Sequence, residues 1–122
     1  MGHSDRRHTR YALPDILFVS QEIKRLGIIG SVLGWGPCHI KDISYAGMLL
    51  TTTKRMTIGD KITVKLNFKT GVELLFTCNV VNASTDHGSG DLKVGVSIVE
   101  PGGDTPEGAF LSGLGDKFKA LP

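Results

Sequence analysis

Three stretches of the chain alternate apolar and polar residues with a period of two, and no other feature restricts the fold as much. Ile62, Val64, Leu66 and Phe68 alternate with Thr63, Lys65 and Asn67. Val72, Leu74, Phe76, Cys78 and Val80 alternate with Glu73, Thr77 and Asn79, broken only by Leu75. Leu92, Val94, Val96 and Ile98 alternate with Lys93, Gly95 and Ser97. Successive side chains of a strand point to opposite faces, so each stretch predicts a strand with one buried and one wet face. Turn-forming residues separate them: Gly59-Asp60, Thr70-Gly71, and residues 86–91 with two glycines.

The remaining segments are shorter or less regular. Residues 14–20 carry the apolar run Ile16-Leu17-Phe18-Val19. Residues 21–36 begin with charge, Gln21 to Arg25, and continue through Gly27, Gly30, Gly34 and Gly36. They are expected to form a loop or hairpin, with one helical turn allowed over 21–26. Residues 38–43 and 48–53 read as strands, the second rich in β-branched threonine. About six short strands at this spacing predict a small antiparallel barrel or sandwich. A barrel also removes the exposed edges that so many strands would otherwise leave. Near the end, Thr105-Pro106 predicts an N-cap followed by proline at the first helical position. Phe110, Leu114 and Phe118 form one apolar helical stripe. Gly108, Gly113 and Gly115 each weaken that helix by roughly 1 kcal/mol against alanine, so it must lean on the barrel.

A chain of 122 residues has room for one domain with a modest core. Its net charge of +2 sits entirely within residues 1–10, where Arg6, Arg7 and Arg10 oppose Asp5. Downstream, eleven basic residues face eleven acidic ones. A short basic arm suits a small anion better than a polyanion, which needs a broad basic face, so nucleic acid is an unfavoured partner. No apolar run reaches the ~18 residues of a membrane span, and the N-terminus lacks the apolar core of a secretory signal. A cytoplasmic protein is expected, with Cys38 and Cys78 buried and reduced.

Two short motifs carry chemistry. Arg6 and Arg10 form R-x-x-x-R, with Arg7 between them. A guanidinium offers donors in a fixed fork that matches phosphate oxygens or the O6/N7 edge of guanine. In an extended arm, Arg6 and Arg10 share a side and Arg7 points away. The second motif, Asp42-x-Ser44-x-x-Gly47, lies where one strand hands over to the next. Alternation places Ile40 and Asp42 on one face, and Ile43 breaks it as a bend or bulge would. An ionised Asp accepts hydrogen bonds and suits the N1–H and N2–H₂ donors of guanine. Ser44 can serve a phosphate or a base, and Gly47 permits positive φ or close backbone approach to a ligand. Each motif also has a plain reading: a solvated charged tail, and a turn stabilised by Asp and Ser and closed by glycine.

Taken together, in this order and in a chain of this size, the motifs resemble those of the PilZ family of bacterial cyclic-di-GMP (c-di-GMP) receptors. The final strand, Leu92 to Ile98, is similar to the family's closing G-V-x-F strand, with Ile98 in the aromatic position. The resemblance covers roughly residues 5–100. It implies a mainly β fold, a small six-stranded antiparallel split β-barrel with a C-terminal helix. The implied organisation is a flexible arginine arm over 1–11, a barrel over 12–100, and a helix packed on it over 101–122. It implies c-di-GMP binding by Arg6, Arg7, Arg10, Asp42, Ser44 and Gly47, with the arm closing over the ligand. The residue before R-x-x-x-R, here Asp5, then bears on whether one ligand or a stacked pair is bound.

Other constellations are missing. His3, His8, His39 and His87 are scattered, and the neighbours Cys38-His39 have nothing to complete a tetrahedral metal set. No triad spacing or P-loop is present, so no catalytic residue is expected, nor any cofactor beyond the bound ligand. Trp35 either packs on the barrel or offers a face to a base or partner. The expected function is that of a non-enzymatic receptor, monomer or homodimer, that presents a changed surface to a protein partner. Two alternatives are a divergent interaction module without nucleotide binding and a barrel for single-stranded nucleic acid. The second conflicts with Phe68 and Phe76, which fall on the buried sides of their strands.

Overall fold

The computed structural model describes residues 8–27 and 33–122. Its six strands are β1 (Phe18–Arg25), β2 (Gly36–Ile43), β3 (Gly47–Thr52), β4 (Lys61–Phe68), β5 (Glu73–Thr85) and β6 (Leu92–Ile98). Every pairing is antiparallel, and the ring order β1-β2-β3-β6-β5-β4 closes into a barrel. Closure is uneven. β1 and β4 pair from Phe18↔Phe68 to Arg25↔Ile62, whereas β1 meets β2 only at Glu22↔Pro37 and Ile23↔Gly36. The expected six-stranded antiparallel barrel with a helical tail is the fold this chain adopts.

The period of two decides what lies inside. Ile62, Val64 and Leu66 of β4 are buried, as are Leu74, Phe76, Cys78 and Val80 of β5. Leu75, the residue that interrupts the pattern, keeps its outward position and is exposed. Its backbone N–H donates to the Glu107 carboxylate at 2.9 Å, at the end of β5 that β6 does not reach. Phe76 lies within the core, and Phe68 is half-buried against it, packed on Phe18 and Phe110.

Residues 21–25 correct the expectation of a loop or helical turn, because they are strand. Only Ile23 among them is buried, so the stretch shows almost no apolar period of its own. Its stability comes from the ladder with β4, where Glu22 lies opposite Lys65 and pairs with it at 3.6 Å. The apolar run before it opens as a 3₁₀ turn (Asp15–Leu17). Phe18 enters the core while Val19 is 72% exposed. β5 also runs beyond Val80 to Thr85, and β3 ends at Thr52.

The tail is two short helices, α1 (Pro106–Ser112) and α2 (Leu114–Lys117), instead of one. Gly113, at φ −94° and ψ 4°, divides them. Thr105 is the N-cap, its hydroxyl accepting from the Gly108 N–H at 3.0 Å, with Pro106 next in the chain. Phe110, Leu111 and Leu114 are buried, and Phe110 meets the rings of Phe68, Phe76 and Phe118 at 5.7–6.3 Å. Packing thus holds a segment whose glycines weaken it as a helix.

Cys78 is buried and Cys38 half-buried, and both are free thiols. Burial pushes both up to about 12, so they stay protonated at neutral pH. Among the described residues, no helix is long and apolar enough to cross a membrane.

Ile62 and Val19 test this division of faces. Ile62→Ala should lower stability by about 2–5 kcal/mol, and Val19→Ala by no more than about 0.5. Urea denaturation of both variants checks the contrast, and equal losses would contradict the assigned faces.

Candidate functional site

Two of the register shifts in the barrel ladders, in β2 and β5, shape the outer face here. In β2 the register with β3 jumps from Ile40↔Leu50 to Asp42↔Leu49, leaving Lys41 as the extra residue. In β5 the register with β6 jumps from Val80↔Val96 to Asn82↔Gly95, leaving Val81 extra. The first bulge puts Ile40 and Ile43 both inside, at 1% and 0% exposure, and turns Asp42 out. Ile40 and Asp42 therefore do not share a face, contrary to simple alternation. The break signalled at Ile43 is real and lies just before it.

The turn between β2 and β3 is built by Ser44 and Gly47. The Ser44 N–H donates to the Gly47 carbonyl at 2.8 Å. Its hydroxyl accepts from the N–H groups of Gly47 at 3.1 Å and Ala46 at 3.3 Å. Ser44 is buried, so this hydroxyl organises the turn. Gly47 does not have positive φ. Glycine is required there because a Cβ would stand 2.6 Å from the Val96 carbonyl oxygen on β6. The close approach it allows is of strand to strand.

Tyr11 brings the arm to this place. Its N–H donates to the Ile43 carbonyl at 2.8 Å, and its carbonyl accepts from the Ile43 N–H at 2.9 Å. The Arg10 carbonyl accepts from the Leu121 N–H at 2.8 Å. Arg10 is thereby held, exposed, beside Asp42. His8 stacks on Tyr45 of the turn with ring centroids 6.0 Å apart. Burial pushes the Asp42 carboxyl above its ordinary range, and the positive charges of Arg10 and Lys41 only partly offset this. Among the described residues, nothing donates a hydrogen bond to that carboxylate.

Arg10, Asp42, Ser44 and Gly47 line one cleft of about 280 Å³. The fold thus gathers four of the six sequence-predicted residues. Arg6 and Arg7 lie outside the described residues. The cleft also takes in Leu49, Val81, Asn82 and Gly95, none of which the sequence singled out as a site residue. Only the β5 bulge brings Val81 and Asn82 there, and Val81 following Val80 was its one faint signal. Trp35 is not part of the cleft. Its ring lies under Lys65 and Lys24, whose Nζ atoms are 4.2 and 5.5 Å from its centroid.

A model of the PilZ domain matches residues 4–109. The chain belongs to the PilZ family. Among solved structures, this PilZ barrel is similar to the K. pneumonia MrkH–c-di-GMP complex, with a TM-score of 0.63 and 18% identity over 91% of this chain and 50% of that one. It is similar to the Bacillus subtilis inhibitor of motility MotI/DgrA, with a TM-score of 0.61 and 12% identity over 88% and 48%. It is also similar to the PilZ domain of Escherichia coli YcgR with c-di-GMP, at 0.58 and 13% over 84% and 82%. At these identities the likeness is one of fold. The chain spans about half the length of the first two structures. Comparison with the curated proteins found no match.

Two outcomes follow from this geometry. Gly47→Ala should cost about 1–3 kcal/mol in a denaturation experiment, because the Val96 backbone must give way. Asp42 has a higher pKa folded than unfolded, so its ionised form costs stability above that range. The cost disappears below the ordinary value of 3.8, where both states are protonated. Asp42→Asn should therefore be more stable than the parent at pH 7, with the gain shrinking as pH falls toward 3.8. Thermal melts from pH 7 to pH 3 measure this. A gain that does not shrink with acid would contradict it.

Proposed function

We propose that this PilZ barrel is a c-di-GMP receptor and that the cleft at Arg10 and Asp42 takes the ligand. The observation that carries the reading is the Tyr11–Ile43 pairing, which sets an arginine beside a partly desolvated carboxylate that has no internal hydrogen-bond donor among the described residues. Phosphate oxygens and a guanine edge are the acceptors a guanidinium matches, and guanine N1–H and N2–H₂ are the donors a carboxylate matches. The names of two structurally similar proteins, MrkH and the YcgR PilZ domain, come with c-di-GMP.

In this reading Arg10 grips a phosphate and the O6/N7 edge of a guanine, and Asp42 takes the Watson–Crick edge. Ser44 and Gly47 hold the turn that presents Asp42. Arg6 and Arg7 lie three to four residues upstream, at most about 14 Å of extended chain, which is within reach of the same ligand. In this reading they grip it alongside Arg10. No residue is assigned a catalytic role and no resident cofactor is needed, because the output is a new surface for a protein partner. That output is in motility, adhesion or exopolysaccharide control, in the cytoplasm.

Calorimetric titration with c-di-GMP tests the proposal, with GMP and the Arg10→Ala variant as controls. Loss of one charge-assisted hydrogen bond predicts affinity about 10- to 100-fold weaker in the variant. The titration also gives the stoichiometry. Absence of binding by the unaltered protein would overturn the receptor reading and leave a partner-binding module.

A further inference from the structure

Asp42 is one end of a row whose other end has no role so far. Asp42, Leu49, Gly95 and Asn82 are successive cross-strand partners on β2, β3, β6 and β5. On one side of this row lie Ile43, Met48, Val96 and Val80, also successive partners and all buried. The row between faces outward and lines the cleft. Both of its polar ends are products of the bulges. In a regular ladder Val81, the residue after Val80, would fall opposite Gly95, and the row would end in valine.

The floor between the ends is low and apolar. Leu49 is half-buried, and Gly95 has no side chain. A Cβ on Gly95 would stand 3.4 Å from that of Asn82. Asp42 and Asn82 are three strand spacings apart, about 14 Å along the sheet. That is longer than one nucleobase. It suits a ligand that carries two hydrogen-bonding bases, as a cyclic dinucleotide does. Among the described residues the Asn82 carboxamide, like the Asp42 carboxylate, has no hydrogen-bond partner.

We infer that Asn82 is a binding residue of this site and holds the second base of the ligand while Asp42 holds the first. The inference rests on the c-di-GMP reading above. A carboxylate only accepts hydrogen bonds, whereas a carboxamide both donates and accepts. Asn82 therefore serves a base edge that carries donor and acceptor together, without bringing a second negative charge toward the phosphates. Val81 beside it, 56% exposed, supplies an apolar contact for the base face.

The test is calorimetric titration of c-di-GMP into the full chain and into Asn82→Ala, Asn82→Asp, Asp42→Ala and the double alanine variant. Asn82 is exposed, so its variants should unfold at the parent's temperature, and thermal melts check this. Asn82→Ala should bind roughly tenfold more weakly, and Asn82→Asp more weakly still. Two ends that hold separate bases act independently, so the double variant should lose about the product of the two single losses. An unchanged affinity in Asn82→Ala overturns the inference. So does a double variant no weaker than Asp42→Ala, since both residues would then act on one base. If the unaltered chain does not bind, the receptor reading itself fails, and this inference fails with it.

Discussion

The barrel interior accepts only apolar rows, and the outer face takes its form from that constraint. Ile40 and Ile43 are three apart, a spacing that a regular strand would split between inside and outside. Burying an isoleucine contributes roughly 1.5–3 kcal/mol, whereas a ladder hydrogen bond contributes about 1. Disrupting the ladder at Lys41 to bring both isoleucines inside is therefore favourable. In β5 the period of two already keeps Val80 inside, and the bulge at Val81 shifts the residues after it by one. The site is the outer consequence of these two choices, with Asp42 and Asn82 turned outward on either side of a flat floor.

A second dependence runs through the backbone of Arg10 and Tyr11. These two residues lie between the end of β2 and the C-terminal tail. Tyr11 bridges to both Ile43 and Ala120, and Arg10 accepts from Leu121. The Tyr11 hydroxyl also lies 3.1 Å from where a Gly115 Cβ would stand. Arm, site and tail thus share a few hydrogen bonds, while the barrel below rests on long ladders and a closed core. Asp42 belongs to the weaker layer. Its charge costs stability where it stands, and among the described residues nothing donates a hydrogen bond to it.

Much of the architecture was legible because it depends on local period. The strands of β4, β5 and β6 follow from alternation, and the Thr105-Pro106 cap from two adjacent residues. β1 was not legible. Gln21 to Arg25 carry one inward apolar residue, and what makes them strand is β4, some forty positions later. The helical stripe was read correctly in its buried positions but not in its continuity. The break falls at Gly113.

The candidate site divides in the same way. The sequence by itself determined the fold class, the family motifs, and the chemistry of Arg10 and Asp42, because these depend on residue type and short spacing. It also called for Gly47, though not for the true reason, which is the carbonyl of Val96 on another strand. Only the tertiary structure decided that Trp35 lies under two lysines and that Asn82 and Asp42 end one row across four strands. Each of those facts is a relation between residues far apart in sequence. Their positions follow from the register of a closed sheet and its bulges, which no local pattern specifies.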